Sequence, residues 1–236
     1  MDIRLQFRDE SLTSTDFPNI LTRIHHVTNA MTRIDARFAD WYAQGDSPEE
    51  AHMYRAFENG QPSAALVAVL RHRYANDSMF TSVALWDGDE DHNEGATLAC
   101  LVGDKYLPDS FVVSLYNDAA FGDVNSMASV VLAAIGAFAP AYLAVAPRAY
   151  AGKQVFDDKP GVGWMLYLPT IITTQQVPEA RALIPIRATG KQQTGTIIVS
   201  VTDTVFSIDN PEHIEIANRI EIRLVDQDLL PRYVDL

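Results

Sequence analysis

The segment from Phe80 to Tyr116 constrains the fold most, because three strand-like runs follow one another there with only turns between them. Phe80–Trp86, Ala96–Val102 and Phe111–Tyr116 are short runs rich in β-branched and aromatic residues, which predicts an antiparallel meander. In the second run Ala96, Leu98, Cys100 and Val102 alternate with Ala99 and Leu101. A strand apolar on both sides is expected in the middle of a sheet, covered above and below. The turn between the first two runs is Asp87-Gly-Asp-Glu-Asp-His-Asn-Glu-Gly95, with five carboxylates. The centre of the core is thus joined directly to the most acidic point of the surface.

Around this meander the chain alternates strand and helix signals. Ile3, Leu5 and Phe7 interleave with Arg4, Gln6 and Arg8, the pattern of a half-buried strand and not of a signal peptide. A helix follows, opened by Ser14–Asp16 with Pro18 in its first turn, or by Asn19, and carrying Ile20, Ile24, Val27, Met31 and Ile34 on one face. His25 and His26 flank that stripe, and neighbours on a helix do not face one metal ion. Arg37–Tyr42 is expected either as a short strand anchored by Phe38 and Trp41 or as a prolongation of the preceding helix. Ser47, Pro48 and Glu50 have capping-box spacing. Pro62–Tyr74 predicts a helix through Leu66, Val67 and Leu70. Val124, Met127, Val131, Ala134 and Phe138 predict another.

Tyr142–Val145 and Val162–Leu168, the latter with Trp164, are expected as strands around a polar loop from Arg148 to Lys159. Leu183–Arg187 and Thr196–Thr202 suggest a hairpin turning at Gly190 and Gly195. A last helix opens at Asp209-Asn-Pro-Glu212 and points Ile216, Ile220 and Leu224 inward. The expected class is α+β, a mainly antiparallel sheet covered by about four amphipathic helices. Residues 1–236 are expected to form a single domain, with a faint repeat between Asp16-Phe-Pro-Asn19 and Asp209-Asn-Pro-Glu212.

Charge narrows the range of partners. Eighteen basic residues, only four of them lysine, face 31 acidic ones, for a net −13. That balance argues against a nucleic-acid or anionic-membrane partner and suits a basic protein. Ser126–Pro147 is uncharged and long enough to span a bilayer, but Ser129, Gly136, Pro140 and its helical period favour a buried helix followed by a strand. The lone Cys100 forms no internal disulfide and is expected to be a buried, inert thiol in a reducing compartment.

No motif supplies catalysis. Gly152-Lys153 lacks the rest of a phosphate loop, and neither a Gly-x-Ser-x-Gly elbow nor a His-Glu-x-x-His pair occurs. The six histidines are scattered, and one cysteine completes no usual zinc set. The sequence predicts no catalytic residue, no cofactor and no metal. Asp87, Asp89 and Asp91 match the first three ligand positions of a calcium loop, but His92 stands at the sixth and Leu98 at the twelfth. Between Asp77 and Asp123 ten acids face only Lys105, which puts nine of the thirteen excess negative charges in about a fifth of the chain. Asp87, Asp89, Glu90, Asp91 and Glu94 are therefore the candidate contact residues for a basic partner. As carboxylates of a hairpin tip, they are expected to lack obligatory partners.

Ile34-Asp-Ala-Arg-Phe-Ala-Asp-Trp-Tyr-Ala-Gln-Gly-Asp-Ser-Pro-Glu-Glu50 and Ser82-Val-Ala-Leu-Trp-Asp-Gly88 resemble the immunity protein 52 family of bacterial polymorphic toxin systems, most clearly between Met1 and Tyr116. The resemblance implies a cytoplasmic antidote, not an enzyme, that binds one cognate toxin. Relatives of this kind are usually encoded beside nuclease toxins of a restriction-endonuclease-like class, often type VI secretion effectors. It carries over no catalytic residue. Two other classes fit the residues without the resemblance: an enzyme hydrolysing through carboxylates in or beside the acidic turn, and a structural component of a secretion system.

Overall fold

Caps and turn residues set where each element begins. The computed structural model describes residues 1–45, 47–91, 93–103, 106–187 and 192–236, with Pro48 and Glu49 described by backbone alone. His92, Asp104, Lys105, Gly190 and Lys191 therefore lie outside the described residues. In chain order the elements are β1 (Asp2–Phe7), α1 (Phe17–Ile34), β2 (Tyr42–Ala43), α2 (Pro48–Ala51), β3 (Phe57–Glu58), β4 (Gln61–Pro62) and α3 (Ala64–Arg73). They continue with β5 (Thr81–Trp86), β6 (Ala96–Val102), β7 (Asp109–Leu115), α4 (Val124–Phe138), β8 (Tyr142–Ala146), β9 (Met165–Leu168), β10 (Ala182–Arg187), β11 (Gln193–Val199) and α5 (Pro211–Asp226). The class is α+β, and every named strand pair is antiparallel.

Two compact units divide the chain. The first holds Phe7–Phe121 and Asn125–Ala139. In it the predicted meander is present: β5 pairs with β6 from Thr81↔Val102 to Trp86↔Thr97, and β6 with β7 from Ala96↔Leu115 to Leu101↔Ser110. One face of β6 is buried through Ala96, Leu98, Cys100 and Val102, and burial pushes the Cys100 thiol well above its ordinary pKa. The opposite face is only half-buried, which corrects the expectation of cover on both sides. Ala99 sits between Ala84 and Val112, and Leu101 between Ser82 and Ser110.

Helix α1 opens as expected: the Asp16 carboxylate accepts the Asn19 N–H at 3.3 Å, and Ile20, Ile24, Val27 and Met31 are buried. Helix α4 brings Phe138 against Phe111 at 4.7 Å and Phe7 at 5.0 Å, which ties it to β7 and the end of β1. Neither it nor any other described helix is long and apolar enough to cross a membrane. Of Arg37–Tyr42 only Tyr42 lies in a strand, β2. Asp35 accepts the Arg37 N–H and starts a short 3-10 turn at Ala36–Ala39, which buries Phe38 and sends the Trp41 indole N–H to the Phe38 carbonyl at 3.0 Å. His25 is half-buried against Phe57 at 4.5 Å, and burial, then His26, lowers its pKa.

The second unit comprises Met1–Gln6, Gly122–Val124 and Pro140–Leu236. Its strands lie in the order β10-β11-β9-β8-β1. The regular ladder of β9 starts at Met165, later than predicted. Gly163 stands at φ +52°, with a Cβ there only 2.5 Å from that of Ala146. Gly195 lies inside β11 and not in the turn, because the Tyr167 ring occupies the space a Cβ would need. The predicted polar loop contains a 3-10 turn at Arg148–Gly152.

Helix α5 buries His213, Ala217, Ile220 and Leu224, while Ile216 is half-buried. It also buries Glu221, which is 1% exposed. That carboxylate accepts the Tyr150 hydroxyl at 2.6 Å, the Val155 N–H at 2.7 Å and the Val162 N–H at 2.9 Å. Burial raises its pKa against the pull of those three donors.

Candidate functional site

The site is built on the β5–β6 connection. The Asp87 N–H donates to the Ala96 carbonyl at 3.1 Å and closes the hairpin. Its carboxylate then accepts the Ala96 N–H at 2.8 Å and the Asp89 N–H at 3.2 Å. Asp89 accepts the Asp91 N–H at 3.0 Å, and Asp91 the Asn93 N–H at 2.9 Å. Each aspartate thus fixes the backbone two residues ahead, the turn-forming habit of this side chain. Three such bonds in series make the acidic run a frame.

Gly95 completes the frame. Its φ is +71°, and a Cβ would sit 2.6 Å and 2.7 Å from the two Asp87 carboxylate oxygens. Only glycine allows the carboxylate to reach across the hairpin neck here. Asp87 is half-buried as a result. Burial raises its pKa, the Asp89 and Ala96 amides pull it back down, and the Asp89 charge adds to the rise.

Glu94 is held from the side. Asn117 Nδ2 donates to both its oxygens at 2.8 Å, and Arg37 Nη1 lies 3.3 Å from Oε2. Asp35 grips the same guanidinium at 2.8 Å. The expectation that these carboxylates lack obligatory partners is therefore wrong for Asp87 and Glu94, and in part for Asp89 and Asp91. Short side chains beside unpaired backbone amides satisfy those amides. Glu90 is exposed at the tip.

All five carboxylates line one cleft of about 570 Å³, together with Trp86, Thr97 and Tyr116. Gln44, Gly45, Ser47 and Ala51 also line it. Trp86 stands in a small aromatic cluster, with His52 at 4.9 Å and Tyr42 at 6.4 Å. Arg55 lies over the Tyr42 ring at 5.8 Å. The cleft is thus lined by both carboxylates and the rings of Trp86 and Tyr116, suited to a guanidinium or ammonium group. Asp87, Asp89 and Asp91, the three positions that match a calcium loop in sequence, turn oxygens to the loop's own amides. Among the described residues no group of three or more His, Cys, Asp or Glu is placed to hold a metal ion.

The sequence did not point to the aromatic wall, the Gln44–Ala51 side or Asn117. Tyr116-Asn117 directly after the third strand-like run was the one available signal, since an antiparallel meander returns the end of that strand to the first turn.

The sequence pattern of immunity protein 52 matches residues 15–232, well beyond the stretch up to Tyr116 where the resemblance is clearest. No curated protein matches the chain. Among solved structures, the Pseudomonas aeruginosa T6SS protein PA0821 is similar at 9% identity, with a TM-score of 0.50 over 94% of this chain and 75% of that one. At that identity the likeness is one of fold.

Proposed function

The chain belongs to the immunity protein 52 family, and from that premise we propose that it neutralises one cognate toxin by binding it in the cytoplasm of the producing cell. The toxin is a nuclease of the restriction-endonuclease-like class delivered by type VI secretion, and the protein acts by binding, not by turnover. The observation that carries this reading is the convergence of Asp87, Asp89, Glu90, Asp91 and Glu94 on one cleft. A nuclease that holds nucleic acid presents a basic groove, and an acidic surface of fixed shape competes for it. The hydrogen bonds that Asp87, Asp89 and Asp91 make to backbone amides reduce the conformational entropy lost on binding. The shared fold with a T6SS protein is in keeping with the type VI setting.

The first test is co-purification: the tagged chain retains the toxin encoded beside it, and failure to retain it ends the proposal. The second uses Asp89→Asn, Glu90→Gln and Asp91→Asn together. Asparagine keeps the two turn-forming acceptors while the charge is removed. Association with the toxin at low salt should slow about tenfold and its salt dependence should flatten. An unchanged rate and salt slope would move the contact to another surface.

A further inference from the structure

Among the described residues, Glu94 is the one cleft carboxylate bonded by side chains from other parts of the chain. Asn117 Nδ2 donates to both of its oxygens at 2.8 Å, and Arg37 Nη1 lies 3.3 Å from its Oε2. The Asn117 amide is fixed in that sense and not its reverse. Its Oδ1 accepts the Ala119 N–H at 3.0 Å, so the donor end must face Glu94. Both holders are rooted in the core. Asn117 opens the 3-10 turn at Ala119–Phe121, and Arg37 lies in the one at Ala36–Ala39. The turns meet through the buried rings of Phe121 and Phe38, 5.4 Å apart.

A carboxylate offers about four lone-pair sites. On Glu94 two go to Asn117 and one to Arg37, which leaves one on a group that lines the cleft. A glutamate held in this way gives up less rotamer freedom on binding than a free one. Glu90, exposed at the tip, has no such hold among the described residues. Asn117 also follows Tyr116, whose N–H donates to the Gly95 carbonyl at 3.1 Å and whose ring lines the same cleft. One short stretch after β7 therefore sets both an acid and a ring on the cleft wall.

We propose that Asn117 is a positioning residue of the toxin contact: it turns the Glu94 carboxylate so that the remaining acceptor site meets a basic side chain of the toxin. The inference rests on the reading that the acidic cleft binds the toxin. Asn117 carries no charge and does not itself line the cleft, so it acts through Glu94. The Glu94 side chain is 36% exposed, open to a partner yet sheltered enough for its placement to govern dissociation and not steering alone.

Binding kinetics of the full chain with the toxin retained in co-purification separate position from charge. Asn117→Ala leaves the net charge unchanged, so association at low salt should hold while dissociation quickens about tenfold. Asn117→Asp combined with Glu94→Gln rebuilds the bond in reverse, the new amide donating to the new carboxylate at wild-type net charge. The thermal midpoint of this pair should lie within about 2 °C of wild type. Its dissociation should stay about tenfold fast, because the acid now stands at the wrong residue. A merely structural role would restore stability and binding together. Wild-type dissociation in Asn117→Ala overturns the proposal, and so does wild-type dissociation in the pair. If Asn117→Ala does not fold, the pair decides by the same rate. The cleft itself is judged apart, by the Asp89→Asn, Glu90→Gln and Asp91→Asn variant. Slowed association there beside wild-type dissociation in Asn117→Ala keeps the cleft and removes the role of Asn117. Wild-type binding in that triple variant removes both.

Discussion

The loop between β5 and β6 and the interior around Glu221 both satisfy backbone amides with carboxylates, to opposite ends. In the loop Asp87, Asp89 and Asp91 accept N–H groups along a surface turn, and Asp89 and Asp91 remain exposed. Glu221 is 1% exposed and takes three donors from a turn and a loop distant in sequence. The dense run of acids shapes a surface, while the single acid organises the interior of its unit. Under the proposed function, charge density in the sequence marks the surface offered to a partner. It says little about where an acid matters most to folding.

Removing the Glu221 carboxylate is the strongest way to break this contrast. Glu221→Ala leaves the Val155 and Val162 amides without their acceptor and the Tyr150 hydroxyl with only Asn218 Oδ1 at 3.3 Å, and should cost about 3 kcal/mol in urea unfolding. Glu221→Gln sharpens it through pH. The folded pKa is raised above the unfolded value, so the contribution of protonation is present at low pH and is lost as pH rises through the folded pKa. The stability gap between wild type and Glu221→Gln should therefore be wider near pH 4 than at pH 7. A gap that widens towards neutrality would mean that the three donors outweigh burial.

Gly95→Ala is the next largest test. The left-handed φ and the collision with both Asp87 oxygens should together cost roughly 2 kcal/mol in urea unfolding, with weakened toxin binding because the frame opens. A loop that were merely a solvated tip would show neither effect. The smallest effect belongs to Glu94→Gln, which keeps an acceptor for Asn117 and weakens only the exposed Arg37 pair. Its thermal midpoint should move by less than about 2 °C, since exposed pairs contribute little.

Periodicity made most of the fold legible. The buried stripe of α1 and the full meander follow from spacing alone, and the burial of Cys100 follows from its neighbours. What failed depended on partners far away in sequence. Arg37–Tyr42 turns because Asp35 captures the Arg37 amide, and Gly195 is needed where the Tyr167 ring passes, not where the chain reverses. The five carboxylates of the cleft were visible as a cluster, but their bonds to backbone were not. Glu221 was hidden for the same reason: nothing local separates it from Glu215, which pairs with Arg219 on the exposed side of the same helix.

The serial turns at Asp87, Asp89 and Asp91 have a consequence for how such a loop can diversify. At Asp89 and Asp91 each turn uses one side-chain oxygen, which asparagine supplies as well as aspartate. A one-atom exchange at either position therefore rewrites the electrostatic address while the backbone keeps its path, and the Glu90 side chain at the tip is unconstrained by the frame. Gly95 and Asp87 act as the fixed hinge pins of this arrangement. Under the proposed function, charge at the toxin contact can change in this way while the turns at Asp89 and Asp91 keep their acceptors.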